Sequence, residues 1–345
     1  MIKKFIRHHP VHKRIVPAFD ALFLMRPTLF FPVWIMVTAG MTASQMNISR
    51  YQVWLHEFNV NVLALFIGLT LISGGTFIIN QIMDVESDAL NHKLFLVGRY
   101  VSIPAAKKIM LFSLFSGGLF LLISGIYNFL AGVLLFLFWG YLYNIKPFHW
   151  KKKPILGMVA NSAAGFLLYA SGWLHVAASE GFDFSEFALG KMVMISIPYL
   201  LCYTAVSLLT MIPDIKGDQP TGAVTFPVKF GLLITLLVSL VMVLAAFALG
   251  WKYDDPVSTT AAAISLPFYI YTLIGRRTKD VLRTIRYSIF ILAVLLFTVY
   301  PLLFPAVLVV FYISRYYYWY RFGLHYPTFQ VEDEKPQNST AGATV

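Results

Sequence analysis

Nine long and nearly uncharged apolar runs dominate this sequence and limit what it can fold into. A helix needs about 20 mostly apolar residues to cross the hydrocarbon core of a bilayer. The runs lie at 27–46, 60–79, 108–125, 128–143, 155–177, 192–212, 231–250, 258–275 and 288–311. A soluble enzyme is excluded, because its surface must be largely polar whereas 58% of these 345 residues are apolar and only 12% are charged. The runs do not alternate as barrel strands do, so they predict an all-α membrane protein with nine transmembrane helices.

The lysine and arginine residues divide unequally between the two sides of this arrangement. With a cytoplasmic N-terminus, 21 of the 27 fall in cytoplasmic segments, and six, including Arg315 and Arg321, fall on the other side. Basic residues gather in cytoplasmic loops, so we expect a multi-pass protein in this orientation. Because the basic residues adjoin membrane spans, they favour anionic lipids or substrates over nucleic acid. The predicted regions are a basic cytoplasmic N-terminus (1–26), a transmembrane domain (27–312), and an aromatic interfacial segment with a disordered tail (313–345).

Two acidic clusters lie where apolar runs end at the predicted cytoplasmic face. The first contains Asn80, Asp84 and Asp88, and the second contains Asp214 and Asp218. Residues four apart share one face of a helix, and like charges placed in this way repel unless a cation lies between them. A single such pair is equally well explained as solvated loop residues, but two pairs at matched spacing favour a site. Carboxylate and amide oxygens without histidine or cysteine suit a hard cation, Mg²⁺ above all.

At these motifs the sequence resembles the UbiA superfamily of intramembrane prenyltransferases. The positions that match the two acidic motifs of that family are Asn80, Asp84, Asp88, Asp214 and Asp218. The segment 141–154, rich in tyrosine and lysine and containing proline, resembles the family's loop after helix four. One position departs from the pattern, because Gln81 stands where the family commonly has aspartate. This substitution removes one carboxylate from the first cluster.

The resemblance implies a nine-helix bundle with a central cavity that opens laterally, and Mg²⁺-dependent transfer of a prenyl group from an isoprenyl diphosphate. Mg²⁺ on the five motif residues would neutralise the diphosphate leaving group, and aromatic faces would stabilise the allylic cation. The implied acceptor is small and lipophilic or aromatic, and a precursor of an isoprenoid quinone is the first choice. Glycerol phosphate ethers, tetrapyrroles, carotenoids and cyclisation without an acceptor remain open.

Eight further residues are candidates for binding the diphosphate or the acceptor. They are Arg26, Lys93, Tyr143, Lys146, Lys151, Asn161, Tyr203 and Lys216. The ordinary alternatives are an interfacial role for Arg26, packing for the tyrosines and a topological role for Lys151. Asn161 is a polar residue inside a span, and such a residue either takes part in binding or catalysis or forms hydrogen bonds between helices. A transporter is the alternative of a different class, but it would carry acidic groups near the middle of its spans.

Overall fold

The computed structural model describes residues 10–48, 59–85, 96–179, 189–220 and 222–328. Within these ranges the chain is helical, and the one extended pairing is an isolated bridge between Val97 and Val101. The helices are α1 (Pro10–Leu24), α2 (Phe30–Ile48), α3 (Val60–Met83), α4 (Ile103–Ser124), α5 (Ile126–Leu135), α6 (Pro154–Ser179), α7 (Leu189–Thr210), α8 (Ile215–Asp218), α9 (Phe226–Lys252), α10 (Pro256–Gly275), α11 (Thr278–Val299) and α12 (Leu303–Phe322). A π-helical segment, Phe136–Leu142, continues α5.

The predicted all-helical, membrane-spanning fold is confirmed. By length and composition, eight helical segments of the described chain are able to cross a membrane, and a further apolar helix, Ile126–Leu142, is shorter. These nine segments follow the order of the nine predicted runs. The agreement has a physical reason, because a chain in lipid must satisfy its backbone hydrogen bonds internally and an apolar run does so as a helix.

The bounds of the last predicted span, 288–311, are wrong. The structure divides this stretch between α11, which ends at Val299, and α12, which begins at Leu303. Pro301 lies in the break, and proline has no amide hydrogen to continue a helix. The start of α11 at Thr278 also precedes the predicted start of this span at residue 288, so that Lys279, Arg283 and Arg286 belong to the helix.

Helix α12 returns the chain to the face on which α1 lies. The Arg321 side chain at its end donates a 2.7 Å hydrogen bond to the Asp20 carboxylate of α1, and Tyr317 donates a second at 2.6 Å. The Arg321 guanidinium also lies 3.8 Å from the ring centre of Tyr100, which precedes α4. Arg321 therefore lies beside α1 and the start of α4, whereas it was predicted to lie on the face opposite to theirs.

Two glycines allow α2 and α6 to pack in direct backbone contact at the centre of the bundle. A Cβ atom at Gly40 would lie 1.9 Å from the Tyr169 carbonyl oxygen, and one at Gly172 would lie 2.0 Å from the Val37 carbonyl oxygen. Small residues permit this close approach between membrane helices. The main core cluster surrounds the crossing and includes the buried side chain of Trp173.

Candidate active site

The first acidic motif lies at the end of α3. Asp84 is the C-cap of this helix, and its backbone amide donates to the Asn80 carbonyl at 3.0 Å. The Asn80 side-chain amide donates to Asp84 Oδ2 at 2.8 Å and to Asn144 Oδ1 at 2.9 Å. The one-turn spacing therefore brings Asn80 and Asp84 together as predicted from helix geometry. Asp88 and Lys93 lie outside the described residues.

Asn144 fixes the loop after α5 against the first motif. In the π-helical segment the backbone amide of Tyr143 donates to the Phe138 carbonyl, five residues back, and not to the carbonyl four residues back as in an α-helix. This geometry is often found at functional sites. The Asn144 side-chain amide donates to the carbonyls of Trp139 at 3.0 Å and Gly140 at 3.1 Å. Sequence reasoning did not single out Asn144; its only signal was an amide directly after an apolar run.

Lys151 carries a cation into the first motif. Its Nζ lies 2.5 Å from Asp84 Oδ1 and donates to Asn144 Oδ1 at 3.2 Å. The Lys151 side chain is 10% exposed and that of Asp84 is 18% exposed. Because charge-assisted hydrogen bonds are stronger when water is excluded, this pair is an integral part of the site and not a solvated surface contact.

The second acidic motif frames the short helix α8. Asp214 precedes α8, and its carbonyl accepts hydrogen bonds from the backbone amides of Gly217 at 3.0 Å and Asp218 at 2.9 Å. The Asp218 carboxylate accepts a 3.3 Å hydrogen bond from the hydroxyl of Thr225, the N-cap of α9. Both aspartates are partly exposed. The predicted candidate Lys216 belongs to α8, but its side chain lies outside what the structure describes.

The two motifs converge on the loop that follows α5. The charges of Asp84, Asp218 and Asp214 all act on the Tyr143 hydroxyl. The same loop reaches the second motif at its far end, where the Val224 amide donates to the Lys152 carbonyl at 3.3 Å. Groups from three separate parts of the chain therefore meet at one face of the bundle.

Asn161 and Tyr203 form the part of the site that lies deeper in the bundle. Asn161 accepts a 3.0 Å hydrogen bond from the Trp139 indole, donates to the Ser207 hydroxyl at 3.1 Å and hydrogen-bonds Tyr143. Of the two roles open for Asn161, the structure shows bonding between helices, from α6 to α7 and to the segment after α5. Tyr203 packs on Gly165, whose missing side chain leaves room for the ring.

The basic loop produces a positive local potential. Burial lowers the pKa of the His149 imidazole, and the nearby charges of Lys151 and Lys152 lower it further. His149 is therefore neutral at neutral pH, whereas the lysines around it supply the charge. Lys146, in the same loop, is exposed.

Two residues singled out in the sequence lie at the junction of α1 and α2. The Gln81 side chain is buried and donates to the Leu24 carbonyl at 2.6 Å, so it faces this junction, on a different side of α3 from Asn80 and Asp84. Arg26 has a left-handed backbone conformation with φ of 50°, and its charge acts on the Tyr318 hydroxyl of α12.

Comparison with known proteins places this arrangement in a family. Residues 33–286 match the model of the UbiA prenyltransferase family, which covers most of the chain and includes every described residue of the two motifs. The chain belongs to the UbiA prenyltransferase family. This membership confirms the family that the sequence resembles.

Relatives of this UbiA family member include one curated protein and several solved structures. The chain is 28% identical over 230 residues to 2-acyl-4-prenylphloroglucinol 6-prenyltransferase from Humulus lupulus. The matched region covers 62% of this chain and 52% of the relative. The chain thus spans about half the length of the curated relative that it matches.

The solved structures share the fold at low sequence identity. A UbiA homologue from Archaeoglobus fulgidus bound to GPP and Mg²⁺ matches with a TM-score of 0.62 and 15% identity, over 81% of this chain and 99% of that chain. A homologue from Aeropyrum pernix K1, in the apo state, matches with a TM-score of 0.61 and 17% identity, over 78% and 95%. A digeranylgeranylglyceryl phosphate synthase matches with a TM-score of 0.58 and 18% identity, over 82% and 97%.

The donor chemistry of the two motifs fits a hard divalent cation such as the Mg²⁺ found in the Archaeoglobus homologue. Among the described residues, no three side chains of the His, Cys, Asp or Glu types form a preformed metal cluster, and Asp88 is not among those residues. The groups that do converge carry carboxylate and amide oxygens, which Mg²⁺ prefers. Lys151 shows that the oxygens of Asp84 and Asn144 together hold a cation.

Proposed function

We propose that this protein transfers a prenyl group from an isoprenyl diphosphate to a small lipophilic acceptor in a reaction that requires Mg²⁺. The observation that carries the proposal is that one basic loop contacts both motifs, because Lys151 pairs with Asp84 of the first motif and the Lys152 carbonyl accepts a hydrogen bond from the Val224 amide beyond the second. A diphosphate bears several negative charges, so a site for it needs cations between its oxygens and the carboxylates. The Archaeoglobus homologues bound to Mg²⁺ with GPP or DMAPP support this choice of donor and metal.

In this proposal the metal is held by Asn80, Asp84, Asp88, Asp214 and Asp218. When bound, Mg²⁺ supplies Lewis-acid stabilisation of the departing diphosphate. The basic side chains near the motifs bind the remaining diphosphate oxygens; the candidates are Arg26, Lys93, Lys146, Lys151 and Lys216.

Aromatic side chains handle the carbon end of the reaction. The allylic C–O bond breaks and its electron pair leaves with the diphosphate, so positive charge develops on the prenyl carbon. The rings of Tyr143 and Tyr203 stabilise this charge by roughly 0.5–2 kcal/mol each, and Asn161 orients Tyr143 by its hydrogen bond. The acceptor then forms the new bond to the prenyl carbon and loses a proton, while the apolar interior excludes water that would otherwise trap the cation.

For the acceptor we propose an aromatic precursor of an isoprenoid quinone. The curated relative acts on a prenylated phloroglucinol, which is an aromatic ring, and this supports an aromatic acceptor over a glycerol phosphate ether, a tetrapyrrole or a carotenoid. An ion-coupled transporter is less well supported, because the described acidic groups of the two motifs lie together at one end of the bundle. From the distribution of lysine and arginine we place this end on the cytoplasmic side.

The proposal is tested with Asp84→Asn and Asp214→Asn in the full chain. Membranes containing each variant are incubated with Mg²⁺, labelled isoprenyl diphosphates of several chain lengths and a panel of acceptors, and released diphosphate and lipid products are measured. We expect each variant to lose more than about tenfold in activity, because even an outer-shell partner of a metal ligand contributes that much. Asp254→Asn is the matched control, since Asp254 is exposed in the turn between α9 and α10. Undiminished diphosphate release in the motif variants would refute the proposal.

A further inference from the structure

Lys151 occupies a position that the proposed function assigns to a metal ion. Its ammonium lies 2.5 Å from Asp84 Oδ1 and 3.2 Å from Asn144 Oδ1. The carboxylate of Asp84 is therefore already paired with a cation inside the site, and the Lys151 side chain is nine-tenths buried.

The backbone fixes this lysine in place. Lys151 lies in a single turn of 3₁₀ helix, Trp150–Lys152. The next residue, Lys152, accepts the hydrogen bond from the Val224 amide beyond the second motif, and Asn144 at the other end of the loop is anchored to the π-helical carbonyls. Both ends of the loop are therefore held, and the ammonium is directed at Asp84 by the fold and not by chance contact of a long side chain.

We propose that Lys151 is a resident cation that neutralises the first motif before metal binds, and that a divalent metal must displace it from Asp84. This inference rests on the proposed function, because it takes Asp84 to be a metal ligand. An ammonium and a divalent ion on the same carboxylate oxygen repel each other, so the paired state and the metal-bound state exclude each other. Displacement also frees the ammonium for an anion, so metal and diphosphate bind cooperatively.

Competition of this kind has a measurable size. The apparent dissociation constant of a ligand increases in inverse proportion to the fraction of protein that is competent to bind it. If Lys151 is paired with Asp84 in about nine molecules of ten, removing the lysine tightens metal binding about tenfold. Inorganic pyrophosphate added to the wild-type protein should recover part of the same gain, because it binds the released ammonium.

The experiment is a titration of purified, metal-free full-length protein with Mn²⁺, monitored by the electron paramagnetic resonance of free Mn²⁺ in the absence of any diphosphate. We expect Lys151→Met to bind Mn²⁺ about tenfold more tightly than the wild type. Lys153→Met is the matched control, because Lys153 is exposed in the same loop and its loss changes the net charge equally. A gain in Lys151→Met no greater than that in Lys153→Met would overturn the inference.

A second measurement uses the unaltered protein. Acetylation of Lys151 and Lys153 is followed by mass spectrometry as Mn²⁺ alone is added. We expect Mn²⁺ to accelerate acetylation of Lys151 relative to Lys153, and an unchanged ratio at saturating Mn²⁺ would overturn the inference. Absence of Mn²⁺ binding by the wild type even with pyrophosphate would instead count against the proposed function, so the two failures are distinguishable.

Discussion

Asn144 connects three parts of the candidate site, and replacing it measures how strongly that network stabilises the protein. Its amide donates to the carbonyls of Trp139 and Gly140, and its Oδ1 accepts from Asn80 and Lys151. A neutral hydrogen bond contributes about 1 kcal/mol net, and one to a charged group about 1.5–3 kcal/mol. Asn144→Ala removes three neutral bonds and one long charged bond. Because Asn144 is 1% exposed, water does not replace them, and we expect unfolding to become easier by about 4 kcal/mol.

The single cysteine of the chain provides the assay. Cys202 lies in α7 and packs against the second core cluster, so a thiol reagent in solution labels it mainly when the protein unfolds. When unfolding and refolding are fast relative to labelling, the labelling rate follows the population of the open form. A loss of 4 kcal/mol then accelerates labelling of the detergent-solubilised protein roughly a thousandfold, since about 1.4 kcal/mol corresponds to a factor of ten.

The same substitution at another asparagine controls for the loss of an amide. The Asn47 side chain donates to Ala43 of its own helix at 2.8 Å, so Asn47→Ala should accelerate labelling of Cys202 by less than about tenfold. If Asn144→Ala accelerates labelling no more than Asn47→Ala does, the network does not hold the loop in place and our interpretation of it is refuted.

Three further predictions concern other parts of the fold. Gly172→Ala would place a Cβ atom 2.0 Å from a carbonyl oxygen of α2 and should destabilise the protein by about 3 kcal/mol in the same labelling assay; Gly190→Ala, with no atom within 4 Å, should be neutral. Arg321→Gln leaves the buried Asp20 carboxylate without its charged partner, so hydrogen exchange in α1 should become faster by an amount equivalent to about 2 kcal/mol, and unchanged exchange would contradict this. Burial raises the pKa of Asp255, so the folded state holds the carboxyl proton more tightly than the unfolded state does. The free energy of unfolding should therefore fall as pH rises from about 3.8 through the raised pKa. In Asp255→Asn this fall of the unfolding free energy with pH should be absent.

The sequence predicted the spans well because the bilayer leaves an apolar run no alternative to a helix. It did not separate α11 from α12, because the apolar run passes through Pro301 without a charged residue. It also placed the start of this span at residue 288, although α11 begins at Thr278 and carries Lys279 and Arg283 in its first two turns. Charge is a poor guide to helix ends where a helix extends beyond the hydrocarbon core into the interface.

The acidic motifs were predictable for a similar reason, since carboxylates at the ends of apolar runs stand out against their surroundings. Asn144 was not predictable, because its polar partners include the side chains of Asn80 and Lys151, which only the tertiary fold brings to it. Gln81 appeared to be a lost member of the acidic cluster until the structure showed its amide on Leu24. Which side of a helix end faces the site is decided by tertiary packing.

The ion pair between Asp20 and Arg321 reports on membrane insertion. The two residues are 301 positions apart, and every span of the protein lies between them. If one helix failed to cross, Arg321 would be left on the far side of a hydrocarbon core about 30 Å thick and the pair could not form. The contact therefore forms only when α1 and the end of α12 lie at the same end of the bundle. The contact between Asp20 and Arg321 would therefore distinguish correctly inserted molecules from those in which a helix is misplaced.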